Sequence, residues 1–183
     1  INYTPYAGGS IFKTTDGGTS WTQQGSNISY AITSADMVDA NIGYVTLNSS
    51  GQPIYKTTNG GSTWFSVSTP LTGIIKSVKA IDANTLYIGA TPGTIRVAKS
   101  TNGGTNWTSQ TSGTTNTLKA VSFTDANIGT VVGYGGTILR TTNGGTTWTP
   151  QTSGTTNNLN GVSLTDANTG WAVGSSIILR TTD

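Results

Sequence analysis

The sequence predicts an all-β chain built as a β-propeller of four-stranded antiparallel blades, and three observations predict it. The first is a recurring turn: residues 15–21, Thr-Asp-Gly-Gly-Thr-Ser-Trp, return in altered form at 58–64, 101–107 and 142–148, and Thr182 and Asp183 begin the turn again. The second is spacing, with Trp21, Trp64, Trp107 and Trp148 separated by 43, 43 and 41 residues. Each is followed 11 residues later by Ile32, Ile75, Leu118 or Leu159, and 7 residues after that by Asp39, Asp82, Asp125 or Asp166. The third is alternation inside the intervening strands, where Ala35 and Met37 correspond to Val78 and Ala80, to Val121 and Phe123, and to Val162 and Leu164. Four short strands in a period of roughly 40–50 residues fit a propeller blade. The apolar face of so small a sheet must be covered by its neighbours, which contributes roughly 25 cal/mol per Å² removed from water.

In chain order, residues 1–6 read as an extended segment and 10–14 as a strand leading into the first turn. A short strand follows Trp21 through Gln23, then a polar connection, then a strand over 30–37. Asp39 to Gly43 is a turn, because Asp and Asn side chains bond nearby backbone groups and Gly tolerates positive φ. Residues 44–47 and 53–57 supply the next two strands. The third unit repeats the plan with strands at 74–80, 86–88 and 95–100, and the fourth at 118–123, 130–132 and 137–141. Strands at 159–164, 171–173 and 177–180 complete the reading. Length varies chiefly in the connections 48–52, 90–94, 133–136 and 174–176.

A single propeller region over 1–183 is therefore expected, in repeat units 1–27, 28–70, 71–113, 114–154 and 155–183. Ile1 aligns with Ile128 without a gap, so the first unit is read from its second strand. The second and third strand types each occur five times, which requires at least five blade positions and leaves the terminal blades incomplete. A larger ring, an open fragment, or completion by further repeats or another subunit all satisfy that count.

Composition narrows the chemistry. Only 33% of residues are hydrophobic and 9% charged, so the surface is made mainly of Thr, Ser, Asn and Gly. The formal charge is +2, too small for the concentrated basic face of a nucleic-acid reader, and no nucleic-acid partner is expected. With no Cys and no His there is no thiolate or imidazole ligand or base, and no metal or cofactor is expected. No apolar run approaches the roughly 20 residues of a membrane helix. The Thr/Asn/Gly bias leads to an expected extracellular or bacterial cell-surface location.

The turn itself has a physical rationale. Asp16, or Asn59, Asn102 and Asn143 in its place, can accept hydrogen bonds from turn amides, the paired glycines allow the turn, and Trp21, Trp64, Trp107 and Trp148 fasten the hairpin; Asp183 opens the last copy. A calcium loop is disfavoured, because most copies lack the carboxylate. The pattern Thr14-x-Asp16-x-Gly18-x-Ser20-Trp21 resembles the Asp-box, or BNR repeat, found between the third and fourth strands of many propeller blades. The copies at 57–64 and 141–148 match with Asn for Asp, and the copy at 100–107 also has Asn106 in the penultimate place. The resemblance implies kinship with sialidase-like and xyloglucanase-like glycosidases, sorting-receptor propellers, photosystem II assembly factors and surface proteins of unknown role.

A sialidase centre would need an arginine cluster with Tyr, Glu and Asp, whereas this chain has only Arg96, Arg140 and Arg180 and no Glu. A two-carboxylate glycosidase is harder to dismiss, since carboxyls roughly 5–9.5 Å apart can do that chemistry. Asp36 is the one acid outside the repeats, and no partner for it is evident; no catalytic residue is assigned. Candidate ligand-binding residues are the strand-end cations Lys13, Lys56, Lys99, Arg140 and Arg180, which symmetry could gather into a ring for an anionic segment, and the loop-side aromatics Tyr6, Tyr87 and Tyr134. Packing of the aromatics and solvation of the cations are the plainer alternatives. The leading expectation is a noncatalytic extracellular or surface module binding protein or glycan. A fragment of a glycoside hydrolase propeller and a structural or assembly protein are its rivals.

Overall fold

The structure, a computed structural model, describes residues 8–25, 28–51, 53–91 and 97–182. It consists of five antiparallel sheets arranged as propeller blades, three of them with four strands, one with three and one with two among the described residues. The first sheet pairs β1 (Ile11–Lys13) with β2 (Thr22–Gln24). The second contains β3 (Ile32–Met37), β4 (Gly43–Leu47), β5 (Ile54–Thr57) and β6 (Phe65–Val67). The third has β7 (Ile74–Ala80), β8 (Leu86–Thr91), β9 (Val97–Ser100) and β10 (Thr108–Gln110). The fourth has β11 (Leu118–Phe123), β12 (Gly129–Gly133), β13 (Ile138–Thr141) and β14 (Thr149–Gln151). The fifth stops at three strands, β15 (Leu159–Leu164), β16 (Gly170–Gly174) and β17 (Ile177–Thr181). The sequence-expected segment at 1–6 and Asp183 lie outside the described residues.

Each complete sheet is a meander, its strands hydrogen-bonded in sequence order. The first strands of successive sheets, β3, β7, β11 and β15, lie side by side. They are tied directly: the Asp36 carboxylate accepts the Ala80 amide at 2.7 Å, and Ser122 Oγ accepts the Leu164 amide at 3.1 Å. Every one of these strands carries a register shift near its start, between Ile32 and Ser34, Ile75 and Ser77, Leu118 and Ala120, and Leu159 and Gly161. Such an extra residue bends a strand and re-aims a side chain. The sequence periodicity of two gives no sign of it.

Between the sheets the core is made of alternating side chains. One face of β8 and β9 packs Ile88 and Ala98 against Tyr44 and Ile54 of the second sheet, while the other gives Tyr87 and Val97 to Val131 and Leu139 of the fourth. Tyr87 stacks on Phe123 with ring centroids 3.7 Å apart, and Trp148 meets the same Phe edge-on. The period-two pattern of single strands thus becomes two buried faces per blade, as a radial stack requires.

Candidate functional site

The repeated grammar of the chain gathers at one end of the second, third and fourth sheets. There the Asp turn between the first and second strands meets the Gly-Gly turn between the third and fourth. In the Asp turns one carboxylate oxygen accepts two successive amides: Asp39 from Asn41 and Ile42, Asp82 from Asn84 and Thr85, Asp125 from Asn127 and Ile128, and Asp166 from Asn168 and Thr169, all at 2.6–2.9 Å. Those amides hold all four carboxyls below the usual carboxylate range. In the first three of these turns the Asn carbonyl then accepts the first Gly amide of its own blade's box, in the pairs Asn41–Gly60, Asn84–Gly103 and Asn127–Gly144.

Within the box, the hydroxyls of Thr14, Thr57, Ser100 and Thr141 accept the second Gly amide at 2.8–2.9 Å and the Asp or Asn amide at 3.3 Å, and donate to the Asp or Asn side-chain oxygen. Asp16 accepts both the amide and the hydroxyl of Ser20, the latter at 2.6 Å. These bonds, the Ser20 hydroxyl first, pull its pKa down to about 2. In two of the three Asn copies the second bond reverses direction: Asn59 Nδ2 donates to Thr63 Oγ1, and Asn143 Nδ2 to Thr147 Oγ1, each at 2.9 Å. The geometry survives loss of the charge because the hydroxyl can donate or accept.

The strand-end cations do not form an open anion-binding ring. Lys13 donates to the Ala40 and Gly60 carbonyls of the next sheet, Lys56 to Gly103, Lys99 to Gly144, and Arg140 Nη2 to Ala167 at 2.7 Å. Tyr87 corrects the expectation of a loop-side ligand-binding aromatic in the same way. It is fully buried, with its hydroxyl donating to the Ala126 and Gly144 carbonyls. Tyr44 does the same to Ala83 and Gly103 and was not singled out from the sequence. Burial, with a smaller push from Asp82 or Asp125, raises both phenols to about 12, so they remain protonated donors. Lys56 and Lys99 also sit 5.3 Å from the centroids of these rings.

Two candidates remain open to solvent. Arg180 lies over the exposed Trp171 ring, and Tyr134 is 40% exposed with the Lys119 ammonium 4.9 Å above its ring. Tyr134 stands in the connection between β12 and β13, beside Asn116, whose Nδ2 donates to Thr137 Oγ1, and Asn158, which accepts the Gly135 amide. Tyr6 lies outside the described residues. Trp64 and Trp148 are buried and Trp107 is half-buried, but Trp21 is 60% exposed, since no preceding sheet lies under it among the described residues. Asp36 is held by Lys79 at 2.9 Å as well as by the Ala80 amide. No group of three or more potential metal-ligating side chains occurs among the described residues.

Against known proteins, residues 110–183 match the family model described as photosynthesis system II assembly factor YCF48. No curated protein sequence matches the chain. In fold the chain is similar to YCF48 from Cyanidioschyzon merolae, at a TM-score of 0.77 and 17% identity over 94% of this chain and 63% of that one. It is also similar to a structure of YCF48 bound to D1 peptide, at 0.70 and 19%, covering 94% of this chain and 57% of that one. The GH74 xyloglucanase from Xanthomonas campestris superimposes at 0.77 with 10% identity, over 99% of this chain and 34% of that one. The chain therefore spans less than two thirds of each. The match to a photosystem assembly factor overturns the extracellular or bacterial cell-surface placement drawn from composition, which rested on an association and on no physical constraint.

Proposed function

We propose that this chain, an Asp-box (BNR-repeat) β-propeller, is a scaffold that binds a polypeptide segment of a protein partner during assembly. The observation that carries the reading is the state of its acids. All six described carboxylates are occupied within the fold: five accept turn amides, and Asp36 is shared by Lys79 and the Ala80 amide. A glycosidase needs two carboxyls facing a substrate, one of them free to exchange a proton. The family match and the peptide-bound relative support a protein partner over a glycan.

The binding surface proposed is the loop end around Tyr134 and Lys119, where an aromatic face, a cation and two Asn side chains lie away from the fastened end. An array of peptides from photosystem II core subunits, D1 included, probed with the chain and with Tyr134→Ala, tests this. Saturable binding to a peptide, weakened about tenfold or more by Tyr134→Ala, is expected. Xyloglucan turnover abolished by Asp36→Asn, with no peptide bound, would reverse the reading.

A further inference from the structure

The first strands β3, β7, β11 and β15 each hold one residue at the register shift: Thr33, Lys76, Lys119 and Asn160. A bulge re-aims the side chain of its extra residue out of the regular pleat. All four stand at the end of the strand away from its Asp turn, and the strands lie side by side. Thr33 shows how near one shift lies to the next, since its hydroxyl donates at 2.7 Å to the carbonyl of Ile75, the residue before Lys76. Lys76 and Lys119 occupy the same places on the adjacent strands β7 and β11, so two ammonium groups rise from neighbouring strands at the loop end.

Neither ammonium meets an acid among the described residues. Lys76 donates to Asn48 Oδ1, in the connection between β4 and β5, at 2.9 Å, and Lys119 stands over the Tyr134 ring. Lys119 makes no hydrogen bond to a described residue, which leaves its three N–H donors to solvent or a ligand. The described acids are elsewhere: Asp16, Asp39, Asp82, Asp125 and Asp166 sit in turns at the opposite end, and Asp36 is held by Lys79. Asp125, in the turn that closes the strand of Lys119, is six residues on, roughly 20 Å along an extended chain. That is more than twice the screening length of about 8 Å at physiological salt, so the turn carboxylates do not cancel the charge at the loop end. Beside Lys119, Asn116 uses its Nδ2 on Thr137 and Asn158 its Oδ1 on the Gly135 amide, so Asn116 Oδ1 and Asn158 Nδ2 are left to meet a polypeptide backbone.

We propose that the loop end takes an acidic polypeptide segment, its Asp or Glu carboxylates received by Lys119 and Lys76 while Tyr134 packs against an adjoining side chain. This rests on the reading of the chain as a polypeptide scaffold and adds to it the charge of the partner. An ammonium that meets a carboxylate makes a hydrogen bond about twice as strong as a neutral one. Two such groups select the segment by its charge and steer its approach.

Fluorescence anisotropy of two labelled synthetic peptides tests this, one of Glu, Leu and Ser, the other the same sequence with Gln for each Glu. The 183-residue chain should bind the Glu peptide saturably and at least about tenfold more tightly than the Gln peptide, with the difference shrinking as salt is raised. Lys119→Gln and Lys76→Gln should each weaken the Glu peptide about threefold or more and leave the Gln peptide unchanged. Arg180→Gln, which removes the same charge from an exposed position at the opposite end, should leave both unchanged; circular dichroism of all three variants verifies folding. Equal binding of the two peptides, equal binding of the Glu peptide by the lysine variants, or as large a loss in Arg180→Gln as in Lys119→Gln overturns the proposal and leaves the scaffold reading standing. No saturation with the Glu peptide by about 1 mM overturns it as well. In that case the scaffold reading survives where peptides on the photosystem array still bind in a Tyr134-dependent way, and falls with the proposal where they do not.

Discussion

At the scale of single residues, the box glycines have two separate reasons to be glycine. Gly17 and Gly144 both hold φ near +65 to +69°, which costs an L-residue about 1–2 kcal/mol. A Cβ on Gly17 meets nothing within 4 Å, while on Gly144 it would stand 2.6 Å from Lys99 Nζ and 2.8 Å from the Ala126 carbonyl. Gly17→Ala should therefore lose only the backbone term in urea unfolding, and Gly144→Ala clearly more. Equal losses would show that the cation does not press on the turn. Acid should separate the boxes as well. Asp16 has its folded pKa depressed to about 2, so the stability it contributes is present above the ordinary value of 3.8 and is lost as pH falls through about 2. The Asp turns share that direction, while the Asn boxes do not titrate. An NMR carboxyl titration should place Asp16 well below a free aspartate, and Asp16→Asn should remove the first box's part of the acid dependence.

At the scale of elements, the inner strands are joined by side chains standing in for a ladder. Ser122→Ala removes the acceptor of the Leu164 amide, which should cost about 1 kcal/mol and raise hydrogen exchange at that amide above its neighbours. Strands at this level were legible in the sequence wherever a fixed landmark bounded them. Residues 74–80, 118–123 and 159–164 were read to the residue, because each aliphatic run opens 11 residues after a Trp or is closed by an Asp turn. The register shifts inside those strands were not legible, since an extra residue leaves the hydrophobic pattern nearly unchanged. Nor were the partners of the cations: Lys99 and Gly144 are 45 residues apart, and only blade-on-blade packing brings them together. Tyr87 was read from its proximity to a variable loop, but facing was decided by the strand, which turns it into the fourth sheet. Tyr134, in the loop itself, does face solvent.

At the scale of the molecule, the repeated polar residues serve cohesion between blades. The cation and tyrosine of one sheet grip the paired turns of the next, from Lys13 on the second sheet to Arg140 on the fifth. Residues that differ between repeats, such as the exposed Tyr134, take no part in that cohesion and carry the binding surface proposed above. Blades held this way make a rigid support, as the proposed polypeptide scaffold requires, and each described acid is engaged within the fold. The most direct measurement is equilibrium urea unfolding of a Tyr87→Phe, Lys99→Met double variant. The buried hydroxyl and the ammonium both close on Gly144, so its unfolding free energy should fall by about 2 kcal/mol with the circular dichroism spectrum retained. An unchanged unfolding midpoint would contradict the account, by showing that these side chains are free for a ligand.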